Sequence, residues 1–199
     1  MTRGNRIILF DLGGVLADLG EPAKTIGLDL AEERFWQIWL ASANVHAFER
    51  GELETHEFFP KIADEFGQID VDDFENRFHA WQLPIYAGVE EMIRSVRKEN
   101  RVALLSNTNE VHWGQVINAT NIFSTFDHLF LSFETGYYKP MAESFEQVVA
   151  HFECDPSDVL FLDDSPRNVS AAKELGFDAH QVCGVDEAKA VIARVGRQS

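Results

Sequence analysis

Ile7-Ile8-Leu9-Phe10 is an unbroken apolar run that stops at Asp11 and passes into the pair Gly13-Gly14. Four apolar residues without a polar break predict a strand buried on both faces, as in a parallel sheet. The glycine pair then frees the backbone for a sharp turn. Similar runs follow at 102–105, 129–131 and 159–162, and a fifth short strand is expected at 179–182. Between them, helical spacing predicts helices over 88–99, 111–119, 143–152, from 166 to a stop at Gly176, and over 187–195, with Pro140 near the start of the third. Strand alternating with helix implies a parallel sheet joined by right-handed crossovers, with helices on both faces.

One region breaks the alternation. From about Leu28 to Trp81 the apolar spacing is helical throughout and no strand-like run occurs. Phe35, Ile38 and Trp39 share a face of a helix over 31–42. A second helix is capped by Thr55, stops at Gly67 and carries Phe58, Phe59, Ile62 and Phe66 on one side, with Pro60 expected to kink or shorten it. Asp72 and Glu75 form a capping-box pair for a third, with Phe74, Phe78 and Trp81. Pro22 is expected to bar any earlier helix. The chain thus divides into a core of residues 1–20 and 86–199 and a helical insertion at 21–85 with its own aromatic core. Its aromatics are expected to pack rather than stack on a ligand. The charged turn Glu49-Arg50-Gly51-Glu52 is either a solvated loop or one that reaches over the main site.

Composition narrows the partners. The 199 residues include 17 Lys and Arg against 33 Asp and Glu, a net charge of −16. That balance repels nucleic acid and anionic membranes. No apolar stretch is long enough to span a bilayer, no signal peptide is visible, and Cys154 and Cys183 have no metal-like spacing. These features predict a cytoplasmic protein with reduced thiols; oligomeric state stays open. A phosphate ester would also be repelled unless positive charge were concentrated locally.

The strand ends supply that possibility. In a parallel sheet Asp11, Ser106-Asn107 and Asp163-Asp164 all fall on one edge, and Lys139 follows a further strand. Asp11 and Asp164 can share a hard divalent cation through oxygen ligands, with Asp163 behind them through a water or in direct contact. The Ser106 hydroxyl and neighbouring amides, including that of Asn107, can donate to phosphoryl oxygens, and Lys139 adds a point charge that also keeps Asp11 ionised. Phosphoryl transfer needs mainly positioning and charge neutralisation, and a carboxylate nucleophile fits it.

Phe10-Asp11-Leu12-Gly13-Gly14-Val15, Ser106, Lys139-Pro140 and Asp163-Asp164 together resemble the four motifs of the haloacid dehalogenase-like (HAD) hydrolase superfamily. The resemblance implies a Rossmann-like α/β core with a first-position helical cap, Mg²⁺ as cofactor, Asp11 as nucleophile, Ser106 and Asn107 at the phosphate, Lys139 in catalysis, and Asp163 and Asp164 at the metal with the Gly13 carbonyl. Leu105-Ser106-Asn107-Thr108-Asn109, Tyr138-Lys139-Pro140 and Asn168 look most like the bacterial α-D-glucose-1-phosphate phosphatase branch, which implies a sugar phosphate substrate. One departure stands out: Gly13 occupies the place where the family usually has an acid–base aspartate. Asp18 and His46 are candidate substitutes; His112 and His128 are read as structural. The alternatives are a 2-haloacid dehalogenase and a degenerate site that only binds ligand.

Overall fold

The computed structural model describes residues 6–67 and 70–196. The first strand, β1 (Ile7–Phe10), is followed by five helices: α1 (Pro22–Ile26), α2 (Glu32–Ala41), α3 (Ala43–Glu49), α4 (Thr55–Glu65) and α5 (Val71–Ala80). Next come α6 (Val89–Val96), β2 (Arg101–Ser106), α7 (Glu110–Ala119), β3 (His128–Leu131) and the single turn α8 (Ser132–Thr135). Then α9 (Ala142–Phe152), β4 (Val159–Asp163), α10 (Pro166–Glu174), β5 (Asp178–Gln181) and α11 (Gly184–Val195) complete the chain. The five strands form one parallel sheet in the order β3-β2-β1-β4-β5, with β1 at the centre.

Alternation along β1 sends its side chains to two different cores, because successive residues of a strand point to opposite faces. Ile7 and Leu9 join Phe145, Val148 and Val169 under α9 and α10. Ile8 and Phe10 join Val89, Met92 and Trp113 from α6 and α7, and this cluster runs on into the phenylalanines of α2 to α5. Ring packing there is dense: Phe48 stacks on Phe58 at 4.0 Å and Phe35 on Phe66 at 5.3 Å between centroids. The chain leaves and re-enters the core through adjacent segments, with Asp18 N donating to the Pro84 carbonyl and Tyr86 N to that of Leu16, both at 2.9 Å.

Several local expectations give way. Pro22 starts α1 instead of barring it, since the first helical residue has no intrahelical use for an N–H. Glu54, not Thr55, precedes α4, and that helix continues through Pro60, losing only the donor for the His56 carbonyl while Phe58, Phe59, Ile62 and Ala63 stay buried on one side. Asp70, not Asp72, caps α5, its carboxylate accepting from Asp73 N at 2.9 Å. Helix α3 is unexpected. Ser42 is extended, and its hydroxyl accepts from Val45 N, so a second helix starts where one long helix was expected to end.

Candidate active site

The register fixes the first contacts. Phe10 lies level with Leu162 and Leu104, so Asp11 leaves the sheet beside Asp163, with Ser106 at the end of the neighbouring strand. Lys139 arrives on the loop after α8, where its backbone is clamped by one side chain. Asn107 Oδ1 accepts from Lys139 N at 2.8 Å, and Asn107 Nδ2 donates to the Lys139 carbonyl at 2.9 Å. The Asn107 side chain is therefore occupied in positioning Lys139, and any contact it makes to phosphate comes from its main chain. The Ser106 hydroxyl makes only a long 3.5 Å contact to the Asn107 carbonyl and is free to turn into the cavity.

Lys139 Nζ donates to Asp11 Oδ1 and to Asp163 Oδ2, both at 2.6 Å. Burial works against the ammonium, but the two carboxylates overcome it and raise its pKa, so Lys139 stays charged. Asp163 is fully buried and further accepts from Ser165 N at 2.8 Å and Asn168 Nδ2 at 3.0 Å. Both its oxygens thus have protein donors, and it reaches Lys139 directly. Asp11, Asp163 and Asp164 each offer a carboxylate oxygen within 4.8 Å of the others'. Three carboxylates around one ammonium are under-neutralised: burial, then Asp163 and Asp164, push Asp11 up to about 8 against the pull of Lys139, so the lysine alone does not keep Asp11 ionised as expected, and burial and Asp163 push Asp164 up to about 6. Such a set of hard oxygens with excess negative charge fits a divalent cation. Gly14 lets it form. At φ +69 it sits so close that a β-carbon would lie 2.3 Å from Asp164 Oδ2.

These groups open into a cavity of about 550 Å³ between the sheet edge and the helical insertion. Its core side carries Asp11, Gly13, Ser106, Lys139, Asp164 and Arg167. The opposite wall is largely apolar, with Trp36, Trp39, Leu40, Trp81 and Leu83. The phenylalanines of the insertion pack inside it as expected, but these three tryptophans face the cavity as well. Beside Gly13, the Leu19 side chain fills the space an added β-carbon would enter, at 3.0 Å.

Of the candidate substitutes for an acid at position 13, neither fits. Asp18 is exposed, does not line the cavity, and accepts from Gly20 N at 2.9 Å. His46 lines it, but its Nε2 lies 3.1 Å from the Leu40 carbonyl and its Nδ1 3.4 Å from the Tyr138 hydroxyl, so both ring nitrogens are engaged. Two other residues occupy the wall. His112, expected to be structural, is buried against Phe78 and Trp81 and also lines the cavity. Its Nδ1 faces Asn109 Nδ2, a donor, at 3.3 Å, which leaves the proton on Nε2, and Nε2 has no partner among the described residues. Burial drives its pKa down to about 3, so the ring is neutral.

Glu49, at the end of α3, is buried and accepts from Trp39 Nε1 at 3.3 Å; burial pushes its pKa up to about 7, with Trp39 and Lys139 pulling the other way. Of the charged turn 49–52, Glu49 lines the cavity and Arg50, Gly51 and Glu52 do not. Arg50, by contrast, pairs with Glu52 and lies 5.6 Å over the Tyr138 ring. The sequence held a signal for the turn as a whole, through its glycine and charges, but none that separated Glu49 from Glu52. For His112 there was no signal at all.

The chain matches the family profile described as haloacid dehalogenase-like hydrolase over residues 6–176. It is 30% identical to the D-ribitol-5-phosphate phosphatase of Bacteroides thetaiotaomicron, over 87% of this chain and 90% of that protein. A sesquiterpene phosphatase of Aspergillus oryzae is 24% identical over 85% of both chains. Among solved structures, a HAD family enzyme of Bacteroides thetaiotaomicron in complex with magnesium and inorganic phosphate superposes with a TM-score of 0.72 at 28% identity, covering 89% of this chain and 94% of that one.

Proposed function

Because the chain belongs to the haloacid dehalogenase-like hydrolases, we propose that it is a phosphatase releasing inorganic phosphate from a small phosphorylated metabolite through an aspartyl-phosphate on Asp11. The observation that carries this reading is the meeting of Asp11, Asp163, Asp164 and Lys139 at one sheet edge, with the free Ser106 hydroxyl beside them. Asp11 attacks phosphorus, while Lys139 neutralises phosphoryl oxygens and Ser106 donates a hydrogen bond to them. Asp163 and Asn107 hold Lys139 in place from two sides. Asp11, Asp164 and the Gly13 carbonyl would hold Mg²⁺, with Asp163 behind them or in direct contact, and the ion would supply the remaining positive charge the phosphoryl group needs. A haloacid substrate, itself a carboxylate, would meet three acids against a single lysine, which disfavours dehalogenation.

The relatives and the wall support two substrate classes. The ribitol-phosphate phosphatase supports a sugar or polyol phosphate, such as a hexose 1-phosphate, whose C–H faces can lie against tryptophan. A second reading, a phosphate ester of an apolar alcohol, is favoured by the apolar wall of Trp36, Trp39, Leu40 and Leu83 and by the sesquiterpene phosphatase. A panel of sugar, polyol and prenyl phosphates, assayed for phosphate release with Mg²⁺ and with chelator, decides. Metal-dependent release abolished by Asp11→Asn is expected. Release that survives Asp11→Asn, or none on any ester, overturns the proposal.

A further inference from the structure

Resting on the phosphatase reading above, we propose that Glu49, brought into the cavity of Asp11 by the helical insertion, is the general acid and base of the reaction in place of the side chain that Gly13 lacks. The placement carries it. Glu49 lines the same cavity as Asp11, Gly13 and Lys139, and it is buried on the insertion side, where a leaving group must sit if phosphorus faces Asp11. One of its oxygens is held by Trp39 Nε1; the other has no hydrogen-bond partner among the described residues and is left for the cavity. The turn that carries it is docked on the core. Gly51, at φ +70, packs so closely that a β-carbon would lie 2.3 Å from the Phe133 carbonyl oxygen. A residue with a side chain there would lift Glu49 from the rim.

The other carboxylates, the histidines and the lysine of the cavity are excluded one by one. His46, one turn earlier on α3, has both nitrogens engaged, and the neutral His112 ring is a hydrogen-bond donor but a poor acid. Asp11, Asp164 and Lys139 already have roles. Arg50 is drawn away to Glu52, so of the neighbouring cations only Lys139 acts on the Glu49 carboxyl. Burial keeps that carboxyl protonated well above the ordinary glutamate range, as a group that must give up and retake a proton near neutrality requires.

In the first step an Asp11 oxygen bonds to phosphorus, the bond from phosphorus to the ester oxygen breaks, and the Glu49 proton passes to that oxygen, releasing the alcohol and leaving Glu49 ionised. In the second step Glu49 takes a proton from water as the water oxygen attacks the phosphoaspartate. The bond to Asp11 breaks, inorganic phosphate leaves, and both side chains return to their starting states.

The test is Glu49→Gln in the Mg²⁺-loaded enzyme, with an alkyl phosphate and with p-nitrophenyl phosphate, whose leaving group needs no proton. The amide oxygen can still accept from Trp39, so the fold is preserved. Loss of acid–base help is expected to slow the alkyl ester about 10²- to 10⁴-fold. With p-nitrophenyl phosphate the variant releases one nitrophenolate per enzyme at nearly the wild-type rate, then turns over slowly as the phosphoaspartate waits for a base. Equal slowing of the burst and of the alkyl ester, or no slowing, overturns the role. A wild type inactive toward every ester, or an active Asp11→Asn, sinks the phosphatase reading instead. As a second measurement, Trp39→Phe removes a bond that favours the ionised carboxylate, so the basic limb of kcat/KM moves to higher pH. A limb that does not move also overturns it.

Discussion

Replacing Glu49 by glutamine predicts a pH-dependent gain in stability that is independent of catalysis. Glu49 is buried in the folded protein with a pKa near 7 against an ordinary 4.5, burial being the cause. A carboxyl whose pKa rises on folding binds its proton more tightly in the native state, so stability falls as pH climbs from 4.5 through about 7 and is level above that. The rise corresponds to about 3 kcal/mol. Glutamine cannot ionise and still accepts the Trp39 hydrogen bond, so the variant escapes this loss. Asp11 and Asp164 shift in the same sense but are present in both proteins and cancel in the difference. The assay is urea unfolding of wild type and Glu49→Gln in chelator at pH 4.5, 6 and 8. The gap between them is expected to widen in favour of the variant by about 3 kcal/mol from the lowest to the highest pH. A gap that stays constant would mean that Glu49 is ionised and solvated in the folded state, and the reasoning about its environment fails.

Other consequences are equally direct. Gly14→Ala must leave a left-handed backbone or displace the Asp164 carboxylate; a loss of at least about 1–2 kcal/mol in unfolding free energy is expected, with weakened Mg²⁺ protection in thermal melts. Phe58→Ala removes a fully buried ring packed against Phe48, Phe59 and Trp39, and should cost about 3–5 kcal/mol by chemical denaturation. Asn107→Ala deletes both clamps on the Lys139 backbone, for about 2 kcal/mol; kcat should fall more than KM rises, because the ammonium is misplaced and the apolar wall of Trp36, Trp39, Leu40, Trp81 and Leu83 is untouched. Added Mg²⁺ should raise the melting temperature, by about 2.7 kcal/mol of stability at a hundredfold excess over its dissociation constant, and Asp164→Asn should abolish most of that increase.

The order of apolar runs in the sequence determined the sheet, because a strand buried on both faces must be apolar at every position and the run at β1 meets that condition. It also determined which residues meet at the sheet edge. Parallel strands put their carboxyl ends on one side, so Asp11, Ser106 and Asp163 converge however far apart they lie in the chain. The insertion was different. Helical spacing specified which residues of α2 to α5 share a face, and that they pack as aromatics, but not where that packed unit meets the core. Ser42 started an unexpected helix through a single hydroxyl where the expected one ended, and Gly51 against Phe133 set how close the turn approaches. Only such contacts, one of them between segments more than eighty residues apart in the chain, decided that Glu49 lines the cavity of Asp11 while Glu52 pairs with Arg50. Long-range packing has no periodicity to read, so the charge of this site was visible in the sequence and its acid was not.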